Sequence, residues 1–260
     1  MKHTFTVSAY GESPYLESCL KSLAGQSVPS EIIICTSTPN DYISMLAEKY
    51  DISVYVREGE PGIGRDWNFA YEKAGGELIT IAHQDDIYKS DYTKTLLETK
   101  EKYPDMSVFM TSSVSIKGGK LVEYGGIEIV KKLLRAPLRL PCFNDMEAVK
   151  KAALRLGNPV ICPSCTYDRT LCGENVFSTE LKFTLDWDAL IRLAEKSGRF
   201  VCIERPLIMY RVHTDSATGE ALNEGTREQE ESEMFDRLLP ETFAGMVKEL
   251  YKKSYTAYKE

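Results

Sequence analysis

No apolar run in the 260 residues approaches the ~18–20 that a membrane-spanning helix needs. The opening residues, Met1 to Val7, lack the long apolar stretch of a signal peptide and read as a first strand. Both absences predict a soluble, cytoplasmic chain. Cysteine is present but unpaired in pattern: seven is an odd count and the spacings suggest no disulfide framework. Cys162-Pro163-Ser164-Cys165, with Cys172 nearby, has no local fourth ligand for a closed zinc site, so these residues read as small buried hydrophobes. A dinucleotide fingerprint is also missing, because Gly62-Ile63-Gly64 has no third glycine and follows a loop. Basic residues are in deficit, 32 against 39 acidic, for a net charge of −7. A protein that coats nucleic acid usually runs the other way, so no nucleic-acid partner is expected. With 43% hydrophobic and 27% charged residues, neither disorder nor a fibrous class fits.

What is present is alternation. Thr4 to Ala9 reads as a strand, and Leu16, Cys19, Leu20 and Leu23 follow at helical spacing. Strands at 31–35, 52–56 and 77–82 then alternate with helices at 41–50 and 66–74. Such β-α units predict an α/β fold with a mainly parallel sheet flanked by helices, whose ligands bind at the carboxyl ends of the strands. A further helix to about Tyr103 and a strand near Val108 to Ile116 follow. The pattern blurs between Lys117 and Asn158, where nine basic residues meet four acidic ones. The basic, leucine-containing stretch 131–140 within it reads either as a solvated helix face or as a peripheral contact with an anionic membrane surface. A strand-like run from Asn158 to Tyr167, a helix after Asp186 and strands through 200–213 come next. The acidic last forty residues read as two helices separated by Pro240.

Three constellations stand at predicted strand or helix ends. In His83-Gln84-Asp85-Asp86, extended alternation would turn His83 and Asp85 to one side and Gln84 and Asp86 to the other. An imidazole beside a carboxylate suits Mn²⁺ or Mg²⁺, although Asp85 and Asp86 also suit turn or helix caps. Asp186 and Asp188 would diverge by about 200° on a helix, so they are not a paired-carboxylate site. Asp186 alone reads as a helix N-cap or as a general base. In Tyr210-Arg211-Val212-His213, an extended chain puts Arg211 and His213 on one side, with arginine suited to phosphate and neutral histidine to a metal. Gly64 would let a backbone approach a phosphate beside Arg65.

In order, these pieces resemble inverting glycosyltransferase family 2, with its GT-A fold, over roughly residues 4 to 218. Val7 to Glu12 with Tyr15 to Leu23 and Gln26-Ser27 is similar to the family's first strand, turn and helix. Glu31 to Asp41 resembles "EIIvvDDgStD", with Thr36-Ser37 where the family has Asp-Asp. Asn68 with Ala74-Gly75-Gly76-Glu77 resembles "N…AxGE", with Trp67 at the place of an arginine. His83 to Asp86 falls on the metal-binding "DxDD", with His83 replacing its first aspartate. Leu185 to Asp188 with Ile191 to Leu193 is similar to "EDwdlwlRl", and Tyr210 to Thr218 to "YRxHxxSxT".

The resemblance implies a hexosyltransferase that moves a sugar from a nucleotide-diphosphate donor to a hydroxyl of a glycan or lipid-linked acceptor, in cell-surface polysaccharide synthesis. Asp186 would be the base. His83, Asp85 and His213 would hold Mn²⁺ or Mg²⁺. Tyr10, Gly11, Glu12, Thr36, Ser37, Gly64, Arg65, Asn68, Asp86 and Arg211 would contact the nucleotide-sugar. Residues 1–218 would form the GT-A domain, with a donor half to 116 and an acceptor half from 117, followed by C-terminal helices over 219–260. The alternatives are a sugar nucleotidyltransferase, whose glycine-rich basic loop is lacking at Tyr10 to Ser13, and a degenerate nucleotide-binding protein.

Overall fold

The structure is a computed structural model that describes residues 1–122, 126–213, 221 and 224–256. Its first half runs β1 (His3–Ala9), α1 (Leu16–Ala24), β2 (Glu31–Thr36), α2 (Asp41–Tyr50), β3 (Ser53–Val56), α3 (Ile63–Lys73) and β4 (Leu78–His83). The chain continues through β5 (Ile87–Tyr88), α4 (Tyr92–Lys102), β6 (Met106–Lys117), β7 (Lys120–Val122), α5 (Gly126–Arg135) and α6 (Glu147–Leu154). Then come β8 (Thr166–Asp168), α7 (Arg169–Cys172), α8 (Leu185–Ala194) and β9 (Arg199–Val212), and finally α9 (Thr226–Leu238) and α10 (Glu241–Thr256).

The nine strands among the described residues join one sheet in the order β3-β2-β1-β4-β8-β6-β9-β5, with β7 paired to β6. The first four strands are parallel, as the β-α alternation predicts. Beyond β4 the sheet is mixed: β8 is antiparallel to both β4 and β6, whereas β6 and β9 are parallel. The expected strand-like run from Asn158 to Tyr167 is cut short by a 3-10 turn at Cys162–Ser164 that contains Pro163, leaving only β8. Pro206 does not split β9 in two; the ladder with β6 shifts register around Ser112↔Pro206, which accommodates the missing N–H.

The strands are apolar on both sides because both faces are covered. Alternation sends Ile34, Phe5 and Val7 to one core with Leu16 and Leu20 of α1 and Tyr92 of α4. It sends Ile33, Ile79 and Ile81 to the other, with Trp67 of α3, Trp187 of α8 and Phe235 of α9. The C-terminal helices thus share the main core with α8, and Trp187 and Phe235 meet edge to face at 5.2 Å. Six of the seven cysteines are buried within this packing.

Candidate active site

The carboxyl ends of β1 and β4, the end of β9 and the N-terminus of α8 surround a cavity of about 1160 Å³. Tyr10, Glu12, His83, Asp85, Asp186 and His213 all line it. The placement follows from the topology, since parallel neighbours β1 and β4 end together and Ser8 pairs with His83.

Strand geometry stops at His83. A turn follows in which the Asp86 N–H donates to the His83 carbonyl at 3.3 Å, so side chains beyond His83 no longer alternate. One ligand atom from each of His83, Asp85 and Asp86 lies within 4.8 Å of the others, which corrects the expectation that Asp86 would face away. Burial, then the neighbouring Asp85 charge, hold the Asp86 carboxyl well above the usual carboxylate range. Burial also lowers His83, keeping the imidazole neutral with a lone pair to offer. Among the described residues, His83 Nε2 and Asp86 Oδ2 are buried without a hydrogen-bond partner. Such groups are costly unless something binds them, so this imidazole-carboxylate set fits a divalent cation such as Mn²⁺ or Mg²⁺.

The end of β9 is fastened to this turn. The Arg211 N–H donates to Asp86 Oδ1 at 2.9 Å and its Nε to the Asp85 carbonyl at 3.0 Å. His213 Nε2 and Asp85 Oδ2 are 2.9 Å apart. Arg211 and His213 do share a side, where both meet the Tyr15 ring, at 4.3 and 5.0 Å. The remaining residues of the closing motif, 214–218, lie outside the described residues.

Across the cavity, α8 starts at Leu185 with Thr184 as its N-cap, so Asp186 sits in the first turn rather than at the cap. Its Oδ1 accepts from the Trp187 N–H at 2.7 Å and its Oδ2 from Asn158 Nδ2 at 2.9 Å. Burial pushes the carboxyl up to about 6, against those hydrogen bonds. Asp188 points elsewhere, paired with Arg192 and with Arg237 of α9, each at 2.7 Å.

Several expected donor contacts are placed differently. Gly64 is packed so that a Cβ would come within 2.0 Å of the Ser178 carbonyl; the backbone that it admits is that of residue 178, not a phosphate. Arg65 turns to Glu60 at 3.2 Å and the Pro61 carbonyl, outside the cavity lining. Asn68 makes two hydrogen bonds to the Phe177 backbone, at 2.7 and 3.0 Å, and so holds that loop. Thr36 is buried and receives the Thr38 N–H, while Ser37 donates to Asp66 at 3.2 Å. Asp66 lines the cavity and is held by Arg57 at 2.6 Å. The Gly11 N–H donates to Thr38 Oγ1 at 2.8 Å, shaping the loop behind Tyr10.

Other cavity residues carried little signal in the sequence. Gln84 binds both the N–H and the carbonyl of Tyr10, at 3.0 and 3.1 Å, which holds the backbone of this exposed, cavity-lining tyrosine. Asn158 and Glu231 come from segments far away in the chain, and only tertiary structure brings them to Asp186; Arg227, paired with Glu231 at 3.1 Å, lines the same cavity. His3, at the start of β1, is buried between Ser30 and Thr80, its pKa lowered by burial to about 3.

A mixed sheet flanked by helices on both faces is the GT-A fold. The family described as Glycosyl transferase family 2 matches residues 4–153, more than half of the chain, and the chain belongs to that family. It is a glycosyltransferase. The matched residues include the His83–Asp86 turn but neither Asp186 nor the end of β9. A comparison with curated proteins finds no match. Among solved structures, the fold is similar to that of Staphylococcus aureus TarS 1-349 in complex with UDP-GlcNAc (TM-score 0.64, 16% identity, 95% of this chain and 70% of that one). It is similar also to the mannosyltransferase PcManGT from Pyrobaculum calidifontis in complex with GDP-Man and Mn2+ (TM-score 0.63, 16% identity, 96% and 69%). A third is glucosyl-3-phosphoglycerate synthase from Mycobacterium tuberculosis in complex with Mn2+ and UDP-glucose (TM-score 0.60, 14% identity, 92% and 80%).

Proposed function

We propose that the chain is an inverting glycosyltransferase that moves a sugar from a nucleotide-diphosphate-sugar to a hydroxyl of a glycan or lipid-linked acceptor. One observation carries the reading: Asp186, with its carboxyl raised to about 6, faces the same cavity as the His83–Asp85–Asp86 cluster and His213. A base of that strength is ionised at neutral pH yet retains affinity for a proton. Asp186 takes the acceptor's hydroxyl proton, and the oxygen attacks the anomeric carbon from the side opposite the leaving diphosphate. Asn158 and the Trp187 N–H hold the carboxylate in position as it does so.

His83, Asp85 and Asp86, with His213 beside Asp85, would hold a divalent cation. When bound, that cation supplies Lewis-acid neutralisation of the diphosphate's charge. The Tyr10–Gln84 clamp shapes the opening on the donor side, and Tyr15, stacked against Arg211 and His213, closes the wall beside it. The neighbours solved with UDP-GlcNAc, GDP-Man, UDP-glucose and Mn2+ support a donor of this class. Residues 1–116 would serve the donor and 117–218 the acceptor, with α9 and α10 completing the acceptor wall.

We also place a peripheral membrane contact at α5 and the segment after it. No helix among the described residues is long and apolar enough to cross a membrane. On α5, however, Ile129 and Leu133 are exposed one turn apart beside Lys132, a pattern complementary to an anionic bilayer. Val130 and Lys131 line the cavity instead, and Lys131 is paired with Glu128 at 3.5 Å. The test of the function is release of nucleoside diphosphate from a panel of nucleotide-sugars with Mn²⁺. Release that persists undiminished in Asp186→Asn removes Asp186 as the base.

A further inference from the structure

We infer that Glu230, on α9, is a positioning residue for the carboxylate of Asp186, so that α9 helps to place the base from outside the cavity. The inference rests on the reading of Asp186 as the base.

The segment that leads into α8 carries backbone donors without local partners. Its N-cap, Thr184, makes no side-chain cap to the helix. Left buried, such N–H groups would cost stability and let the entry of the helix drift. They are taken instead by one carboxylate from 46 to 48 residues away. Glu230 Oε1 accepts from the Lys182 N–H at 2.8 Å. Its Oε2 accepts from the N–H groups of Phe183 and Thr184 at 2.9 and 2.8 Å, and from Thr184 Oγ1 at 3.1 Å. Four donors on one buried carboxylate, itself 8% exposed, form a charge-assisted clamp.

Asp186 stands two residues beyond the clamped Thr184, on the same turn of backbone. Where the 182–184 segment sits therefore fixes where the base sits relative to the cavity. A displacement of about 1 Å at such a group can cost about a hundredfold in rate without weakening substrate binding. Arg237, also on α9, fastens Asp188, which lies in the first turn of α8 as well, at 2.7 Å. Elsewhere on α9, Asp236 is paired with Lys248 of α10 at 2.6 Å; that latch joins the two C-terminal helices to each other and so serves as an internal control.

The experiment compares Glu230→Gln, Thr184→Val and Lys248→Ala. Each is assayed for nucleoside diphosphate released from the donor that wild type uses, with kcat expressed per nucleotide-binding site titrated. Glu230→Gln keeps the shape but puts an amide N–H₂ against the donors. It should lower kcat at least tenfold while donor KM and nucleotide affinity stay within twofold. Thr184→Val deletes one of the four contacts and should lower kcat about threefold, again with donor KM unchanged. Lys248→Ala, which releases Asp236, should leave kcat per site within twofold. Wild-type kcat in a folded Glu230→Gln, or equal losses in Glu230→Gln and Lys248→Ala, would overturn the inference. If Glu230→Gln does not fold, Thr184→Val decides alone. A fully active Asp186→Asn is a separate failure, of the base assignment itself.

Discussion

Asp186→Asn is expected to stabilise the protein at alkaline pH while removing its activity. An ordinary aspartate titrates near about 4, and burial pushes Asp186 up to about 6. The folded state therefore binds this proton more tightly than the unfolded chain does. The sign follows: between about pH 4 and pH 6 the folded protein holds the extra proton, so stability falls as pH rises through that window and stays lower above it. At about 1.4 kcal/mol for each tenfold change in proton affinity, ionised Asp186 costs the fold about 3 kcal/mol at pH 8. Asparagine removes that cost. It also replaces Oδ2, which accepts from Asn158 at 2.9 Å, with an amide that faces another amide, a loss of about 1 kcal/mol. The net gain is about 2 kcal/mol at pH 8, or about 4–8 °C in Tm for a chain of this size. Below about pH 4 the carboxyl is protonated in both states and only the loss of about 1 kcal/mol remains. Calorimetric melts at pH 8 and pH 3.5 check this, beside a transfer assay in which the loss should be about a hundredfold or more. Equal destabilisation at both pH values would refute the raised carboxyl. Wild-type transfer would refute its use as a base.

Asp85→Ala should abolish saturable Mn²⁺ binding in calorimetric titration and lower nucleotide release by about a hundredfold or more, since a ligand is lost rather than an outer partner. Gly64→Ala should cost more than about 2 kcal/mol in denaturant melts, because its Cβ would fall 2.0 Å from the Ser178 carbonyl; weakened donor binding with unchanged stability would instead support the phosphate approach. Arg65→Ala, whose guanidinium turns to Glu60, should leave donor KM within about twofold. Sedimentation with liposomes should retain wild type on anionic vesicles and lose Ile129→Asp/Leu133→Asp at the same lipid concentration. Equal retention of both proteins would remove α5 from the contact.

The parallel half of the fold was legible because its signals are local. Leu16, Cys19, Leu20 and Leu23 announce α1, and all four are buried as their spacing predicts. The helix expected over 41–50 forms as α2, capped by Asn40, which accepts from the Ile43 N–H at 2.8 Å. The antiparallel insertion of β8 was illegible, since three residues after a Pro-containing turn carry no period. At the site, composition and order identified His83, Asp85, Asp186 and His213 as candidates, and all four line one cavity. Asp86 was misdirected because a turn replaced the assumed strand. Gly64 and Arg65 were misdirected because a glycine beside an arginine looks the same whether its neighbour is phosphate or protein backbone. Glu230 was invisible: an acidic residue in an acidic helix becomes a clamp only when α9 packs against the entry to α8.

The most direct test of the central claim is nucleoside diphosphate release from nucleotide-sugars, measured with Mn²⁺ for wild type, Asp85→Ala and Asp186→Asn. The account predicts release by wild type that chelation abolishes, and loss in both variants. Undiminished release in either variant, or no nucleotide-sugar turned over by wild type, would contradict it.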